Sequence, residues 1–219
     1  MITTIPFQVV LDECHIQNIQ SQCDIVAQGR NPANGILGQG APFLSNLGSV
    51  NAATLQAAGI DLTASYNFDV AAGSVSALYY GNYTFKNDLQ SSASADVVEC
   101  AGEFGQFCGE PTPEYKHTVQ VSYLQGPFTL SARWRLIGGV DADTEGLSDL
   151  SSSIGTTNYL DLTTQYAVNE NIDLTLGVRN ITGTDVPLLG STVAEQANTF
   201  PATYTPFGRE VFFGTSIRF

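Results

Sequence analysis

The sequence predicts an all-β protein: an antiparallel transmembrane β-barrel segment of about seven to nine strands, part of a larger barrel, with long extracellular loops. Apolar and polar residues alternate along seven stretches from about residue 60 onward. Short and long connections alternate strictly between these stretches. The stretches exceed the roughly five or six residues of a typical soluble strand and match the roughly ten-residue tilted strands that cross a hydrocarbon layer.

Each predicted strand has one apolar face and one face with polar or charged side chains, which is the period-two pattern of a strand. For example, Leu130, Ala132 and Trp134 alternate with Arg133 and Arg135. The strands of a β-sandwich alternate in the same way, so this pattern alone does not separate the two architectures. The predicted strands are 59–69, 74–86, 114–125, 127–138, 158–168, 171–180 and 209–219.

The connections between the strands do separate the two architectures. An outer-membrane barrel has brief periplasmic turns and long extracellular loops, and its C-terminus lies on the short-turn side. A β-sandwich has no reason to keep this alternation, so the membrane barrel is favoured. Tight turns rich in Gly, Pro and Asn occur at 69–73, 125–127 and 168–171, and long linkers occur at 87–113, 140–156 and 182–207.

The composition limits the functions open to the chain. Only 13% of the residues are charged, whereas a soluble domain has about 25%. The 8 Lys and Arg residues against 21 Asp and Glu residues give a net charge of −13, which argues against nucleic acid as a partner. No stretch of about 18 apolar residues predicts a transmembrane helix. Nucleophile-elbow, phosphate-loop and dinucleotide motifs are also absent from the sequence, so we expect neither an enzyme nor a cofactor.

The four cysteines fall into two local pairs, Cys14 with Cys23 and Cys100 with Cys108. Without a C-x-x-C motif or a histidine partner, they predict two disulfides that close small loops, and therefore an oxidising compartment. The N-terminus has no basic residue before Arg30 and does not resemble a secretory signal peptide. We therefore expect that an upstream portion of the protein is missing from this chain.

Residues 1–50 follow a different pattern from the strands of 51–219. Residues 6–15 predict a short helix, and Gly and Asn are frequent in 29–48, as in a long loop. Counting the connections back along the chain places residues 1–50 on the extracellular side of the predicted barrel.

No metal site is predicted. The segment 141–146 imitates the start of a calcium loop, but the twelfth position is Ser152 where a bidentate Glu is needed. A solvated acidic loop is the favoured interpretation, and weak calcium binding stays open. His15 and His117 lack the spacing of metal ligands, and we expect His117 to be a residue of the barrel wall.

The C-terminal region resembles the TonB-dependent outer-membrane receptors. Residues 177–182 follow the G-x-x-N-[IL]-[TF] pattern that ends the penultimate strand in that family, and a long loop comes next. A P-x-x-Y element at 201–204, a Gly-Arg pair before the last strand and a terminal Phe are similar to the same family. Residues 58–62 are similar to its S-G-I-D-[LF] element, with Ala58 in place of Ser. The resemblance covers most of 50–219.

This resemblance implies a barrel of about 22 strands that encloses a plug and sits in the outer membrane of a Gram-negative bacterium. Members import ferric siderophores, vitamin B12, haem or oligosaccharides with energy from the inner-membrane TonB complex. The chain has neither a plug nor a TonB box, and it has room for at most about nine strands. We therefore expect a C-terminal barrel fragment that contacts outer-membrane lipid and a small-molecule ligand, and that reaches the TonB complex through the missing N-terminal part.

Two groups of strand residues are expected to have specific roles. A last strand with apolar residues in phase and a terminal aromatic is similar to the signal read by the barrel-assembly machinery. Polar residues between the apolar ones are expected to face the lumen, where they contact one another, the plug or substrate. The predicted assembly signal comprises Val211, Phe213, Ile217 and Phe219, and the predicted lumen-facing residues are Arg133, Arg135, Asp161, Asp173, Arg179 and Arg218.

Two alternatives remain open at this point. In the first, the chain is a small autonomous outer-membrane barrel that acts as a passive pore or anchor. In the second, it is a secreted β-sandwich domain used for adhesion or carbohydrate binding. The leading hypothesis assigns the wall to the strands and assigns ligand gating or capture to the long loops.

Overall fold

A computed structural model describes residues 3–4, 7–28, 49–50, 54–90, 96–105, 107–143, 152–189 and 198–218. Within these residues the chain forms two helices and thirteen strands. In chain order they are β1 (Thr3–Thr4), α1 (Phe7–His15), α2 (Gln20–Gln28), β2 (Ser49–Val50), β3 (Thr54–Val70), β4 (Gly73–Gln90), β5 (Val98–Glu99), β6 (Glu103–Phe104), β7 (Tyr115–Gln125), β8 (Phe128–Ile137), β9 (Val140–Ala142), β10 (Ser153–Ile154), β11 (Thr157–Asn169), β12 (Ile172–Arg179) and β13 (Glu210–Ile217).

All seven predicted strands are confirmed, as β3, β4, β7, β8, β11, β12 and β13. They form one sheet in the order β13-β12-β11-β8-β7-β4-β3, and β5 pairs with the end of β4. The pairings from β4 to β13 are antiparallel. Each long strand therefore lies beside the long strand that follows it in sequence, which is the up-and-down topology of outer-membrane barrels.

The strand register gathers the apolar side chains on one face of this sheet. Residues directly opposite each other in an antiparallel pair lie on the same face. Val119 lies opposite Trp134, and Trp134 lies opposite Leu160. Leu176 lies opposite Phe213, and these two side chains are 50% and 70% exposed. We call this surface the apolar face and the opposite surface, which carries Arg133 and Asp161, the polar face.

The predicted alternation of short and long connections is confirmed. Two-residue turns join β3 to β4, β7 to β8 and β11 to β12. Gly126 adopts a φ of 54° in the second of these turns, a conformation that costs glycine little because it has no Cβ. The connections from β4 to β7, from β8 to β11 and from β12 to β13 are long, and all three leave the sheet at the same end.

The long connections share a buried core, which the sequence did not predict. Phe104, Val140 and Phe200 belong to this cluster, and the rings of Phe104 and Phe200 meet edge to face with centroids 5.8 Å apart. Phe104 and Val140 lie on the short strands β6 and β9, which form a three-stranded sheet with β10. These connections therefore form a folded layer at that end of the sheet, with a core of Phe104, Val140, Ile154, Leu189, Phe200 and Tyr204.

The chain divides into two compact units, Met1–Ala57 with Asn87–Glu99, and Ala58–Lys86 with Cys100–Phe219. The first unit contains α1, which confirms the predicted helix, and α2, which was not predicted. The two helices pack around Val10, Cys14 and Val26. Neither helix in the described residues has the length and apolarity needed to cross a bilayer.

Candidate functional site

The polar face carries all six of the residues predicted to face a lumen. Asp161 lies opposite Arg133, and Arg179 lies opposite Glu210. Arg135 follows Arg133 on the same face of β8, Asp173 follows from the pairing of β12 with β13, and Arg218 continues the alternation past the end of β13. The structure therefore places these side chains on one surface, as the period-two pattern predicted, whereas their exposure to a lumen stays a prediction.

Three arginines predicted on this face form ion pairs within the described residues. Arg133 Nε lies 3.3 Å from Asp161 Oδ2, and Arg218 Nη2 lies 2.9 Å from Asp173 Oδ2. Arg179 Nη1 lies 3.8 Å from Glu210 Oε2. Glu210 was not among the residues predicted to face the lumen. The alternation of β13 was enough to find Glu210, because it lies on the same face as Arg218.

Asp161 is the most buried carboxylate of this face, with its residue 5% exposed. A buried charge needs both a counterion and hydrogen bonds to offset the loss of hydration. Arg133 supplies the counterion, and the backbone N–H of Asn180 donates to Asp161 Oδ1 at 2.9 Å. This carboxylate therefore fixes the start of the connection between β12 and β13 against β11.

Asn180 shapes the first turn of that connection. Its φ is 49°, in the left-handed region that asparagine tolerates better than most residues. Its side-chain oxygen accepts from the Thr184 N–H, and its side-chain nitrogen donates to the Thr184 carbonyl, both at 2.9 Å. Thr184 Oγ1 in turn donates to the carbonyl of Asn158. These contacts give the asparagine of the 177–182 pattern a physical role.

Tyr159 fixes the other end of the same connection. Its side chain is fully buried, and its hydroxyl accepts a hydrogen bond from the Thr205 N–H at 3.2 Å. The Arg135 guanidinium carbon lies 5.0 Å from the centre of the Tyr159 ring, within the range of a cation–π contact. Arg135 Nη2 also donates to Thr205 Oγ1 at 3.3 Å.

Both ends of the β12–β13 connection are thus held by two cross-strand pairs, Arg133 with Asp161 and Arg135 with Tyr159. The members of each pair lie directly opposite each other on β8 and β11. We call these four residues the loop anchor. They place the base of the folded layer over the polar face.

Tyr204 lies beside the loop anchor and is almost completely buried. Burial, and then the proximity of Tyr159 and Glu110, raise the pKa of Tyr204 to about 12. Glu110 also accepts a hydrogen bond from Thr203 Oγ1 at 3.2 Å, which ties the connection after β4 to the connection after β12. The interior of the folded layer therefore contains a phenol that is neutral at physiological pH.

The sequence also matches a known protein family. The sequence profile described as TonB dependent receptor-like, beta-barrel, matches residues 16–181. The chain belongs to the TonB-dependent receptor family. No curated protein matches the chain.

Two solved receptor structures are similar to this chain. The ferric enterobactin receptor PfeA of Pseudomonas aeruginosa, crystallised as a mutant, is 16% identical, with a TM-score of 0.51 over 74% of this chain and 22% of that receptor. The ferric-catecholate import receptor Fiu from E. coli K12 is 19% identical, with a TM-score of 0.42 over 67% of this chain and 21% of that one. The chain therefore spans about a fifth of the length of these receptors, whose family comprises transporters and receptors of the Gram-negative outer membrane and not enzymes.

In this TonB-dependent receptor chain both predicted disulfides form, between Cys14 and Cys23 and between Cys100 and Cys108. Asp143, from the segment that imitates a calcium loop, accepts hydrogen bonds from the N–H groups of Phe107 and Cys108 at 2.6 and 2.7 Å. Its carboxylate therefore holds the second disulfide loop. Positions 144–151 of that segment lie outside the described residues, and the described part of the chain has no cluster of three or more metal-binding side chains.

His117 lies on the apolar face, as a wall residue of the kind expected. Its ring stacks near Tyr79 at a centroid distance of 5.9 Å and meets the edge of Trp134 at 4.5 Å. Trp134 Nε1 donates to Asn158 Oδ1. Aromatic rings with polar tips at the loop end of the strands are typical of the girdle at a membrane boundary.

The predicted assembly signal lies on the last strand of the receptor barrel segment. Val211, Phe213 and Ile217 share the apolar face of β13, and all three are well exposed. Phe219 lies outside the described residues. The role of these four residues in assembly stays a prediction.

Proposed function

We propose that this chain is the C-terminal part of the barrel of a TonB-dependent outer-membrane receptor, which takes up a siderophore, cobalamin or carbohydrate-type ligand with energy from the TonB complex. The observation that carries the proposal is the division of one sheet into an exposed apolar face and a polar face with ion pairs. An apolar face with many exposed large side chains is unfavourable in water and favourable in lipid. The family membership supports the same conclusion.

The edges of the sheet support a place within a larger barrel. A short turn follows β3 and a long connection precedes β13, so both edge strands run from the long-connection end towards the short-turn end. Direct pairing of β3 with β13 would therefore be parallel, whereas outer-membrane barrels of bacteria are antiparallel. The seven long strands described here therefore need an odd number of further strands to close.

The β-sandwich alternative does not fit the same observations. A sandwich buries apolar side chains between two packed sheets. In the described residues the seven long strands form one sheet, and the buried cluster lies among the long connections instead.

The partners follow from this placement. The apolar face contacts outer-membrane lipid, and Val211, Phe213, Ile217 and Phe219 are read by the barrel-assembly machinery. The TonB complex is reached through a part of the protein outside this chain. The long connections, whose base is fixed by the loop anchor, help to gate or capture the ligand on the extracellular side, together with residues 1–50.

A topology experiment on the full-length protein tests the proposal. One variant carries a short epitope in the connection at 144–151, and a matched variant carries it in the turn at 126–127. Antibody should label the first epitope on intact Gram-negative cells and the second only after the outer membrane is permeabilised. Equal labelling of the two, or migration in detergent gels that does not change on heating, would contradict the proposal.

A further inference from the structure

A cavity of about 390 Å³ opens on the polar face where β3, β4, β7 and β8 lie side by side. Its volume falls in the range of about 300–1,000 Å³ that is typical of small-molecule sites. The side chains that matter for its chemistry belong to Asp61, Tyr80, Asn82, Lys116, Thr118 and Arg135.

Two cations in this cavity differ from the three arginines that form ion pairs on the polar face. Arg133, Arg179 and Arg218 each pair with a carboxylate. Lys116 and Arg135 form no ion pair with any carboxylate in the described part of the chain. In a protein with a net charge of −13, two cations without counterions in one cavity indicate an anionic ligand.

The register brings these two cations within reach of one ligand group. Arg135 lies directly opposite Thr118, and Lys116 lies two residues from Thr118 on the same face of β7. Such diagonal neighbours have their backbones roughly 7–8 Å apart, a distance that two long side chains span easily. Arg135 Nη2 is engaged by Thr205, whereas its buried Nε makes no hydrogen bond within the described residues.

Asp61 lowers the net charge of the cavity and so limits the charge of a ligand that fits it. Its Oδ1 accepts a hydrogen bond from Asn82 Nδ2 at 2.7 Å, and Asn82 lies opposite Lys116. The amide thus separates Asp61 from Lys116, and they do not form an ion pair. Two cations and one carboxylate give the cavity a charge of about +1, which matches a single carboxylate better than a polyanion.

Tyr80 supplies an apolar wall. The residue is 50% exposed and lies opposite Thr118, diagonal to Lys116, while Arg135 lies on the other side of Thr118. We propose that this cavity is a binding site for a small monoanionic carboxylate, with the carboxylate between Lys116 and Arg135 and its ring or apolar body against Tyr80. The proposal rests on the proposed function, because the cavity lies on the face assigned to the lumen.

Calorimetric titration of the full-length protein in detergent tests this site, with benzoate as the anionic probe and benzamide as its neutral counterpart. Benzoate should bind and benzamide should bind at least about tenfold more weakly, because a hydrogen bond to a charged group is worth about one factor of ten or more. Lys116→Gln should weaken benzoate by a similar factor, and Lys116→Arg should retain it. Arg179→Gln is the matched control, since it removes a paired cation from the same face, and it should leave benzoate binding unchanged.

Equal affinity for benzoate and benzamide, absence of benzoate binding at millimolar concentration, or unchanged affinity in Lys116→Gln would each overturn the site. Heat-modifiable migration of every variant confirms that it is folded before titration. The topology experiment with epitopes is independent of this titration. Correct topology without benzoate binding rejects the cavity proposal alone, whereas wrong topology rejects the proposed function.

Discussion

The guanidinium of Arg135 stacks against the ring of Tyr159, its direct neighbour across the ladder between β8 and β11, at 5.0 Å from the ring centre. Both side chains contact Thr205, through its Oγ1 and its N–H. One cross-strand pair therefore fixes the returning end of a connection that is about thirty residues long by the strand bounds. The preorganisation of this connection depends on the barrel wall itself.

Tyr159→Phe should loosen the returning end of the connection between β12 and β13. The substitution keeps the ring and its contact with Arg135 but removes the oxygen that accepts from the Thr205 N–H. We expect a loss of about 1 kcal/mol in the free energy of unfolding and faster protease cleavage within 190–209. Urea titration in detergent and limited proteolysis with mass mapping measure the two effects.

Tyr166→Phe is the matched control for this experiment, because Tyr166 lies on the apolar face of the same strand and is exposed. It should change neither the urea midpoint nor the cleavage rate. An identical response of the two variants would show that the Tyr159 hydroxyl does not hold Thr205.

Asp161→Asn should be more destabilising than Asp173→Asn, although both substitutions remove a carboxylate from an arginine pair of the polar face. The Asp161 side chain is 6% exposed and that of Asp173 is 32% exposed. A hydrogen-bonded, buried charge contributes about 1.5–3 kcal/mol, and an exposed pair contributes about 0–1 kcal/mol. Urea titration of the two variants side by side checks the order. Equal losses would mean that burial does not set the strength of these pairs.

The sequence predicted the parts of the fold that have a periodic pattern and missed those that have none. The period-two pattern located the seven long strands and placed Arg133, Asp161 and Arg218 on one face, because the pleat of a strand fixes side-chain direction locally. The same pattern did not predict the contact between Tyr159 and Thr205. Their contact joins residues that are 46 positions apart, and a connection without periodicity gives no indication of where it folds back.

The helix α2 and the core of the long connections were missed for related reasons. Gln20–Gln28 is only nine residues long and polar at five positions, so its apolar stripe is too short to stand out in a sequence pattern. Phe104 and Phe200 are isolated aromatics in linkers rich in small and polar residues. They pack together only because three separate connections meet at one end of the sheet.

The folded layer should lose stability at alkaline pH through Tyr204. Burial raises the pKa of this phenol from its ordinary value of 10.0 to about 12. The unfolded chain therefore releases the proton first, so the stabilisation is complete below about pH 10 and is lost as the pH rises through about 12. Thermal unfolding followed at several pH values in this window measures the loss.

Tyr204→Phe provides the control for the alkaline transition, because phenylalanine fills the same site without an ionisable group. Part of the decline in thermal midpoint above pH 10 should disappear in this variant. The ultraviolet difference spectrum should also lose the tyrosine that ionises at the highest pH. A pH profile that is identical to that of the parent protein would exclude Tyr204 as a source of the transition.

Removal of the Cys100–Cys108 disulfide should open the connection between β4 and β7. A disulfide that closes a loop of this size stabilises the folded state by about 2–3 kcal/mol, because it restricts the unfolded chain. Asp143 also accepts hydrogen bonds from the N–H groups of Phe107 and Cys108 in this loop. The double variant Cys100→Ser with Cys108→Ser should be cleaved several-fold faster within 100–113, as measured by mass mapping. The pair Cys14→Ser with Cys23→Ser should leave that cleavage rate unchanged, because this disulfide lies in the other unit.

The division between the two faces predicts opposite responses to a charge on β13. Phe213 lies on the apolar face opposite Leu176, and Ser216 lies on the polar face opposite Asp173. A lysine on a lipid-facing surface near the middle of the bilayer costs about 2–4 kcal/mol, whereas a lysine beside an aspartate on a wet face costs little. Phe213→Lys should therefore reduce the amount of folded, heat-modifiable protein in outer membranes, and Ser216→Lys should not. If the two variants reached the membrane in equal amounts, the apolar face of this strand would neither contact lipid nor contribute to assembly.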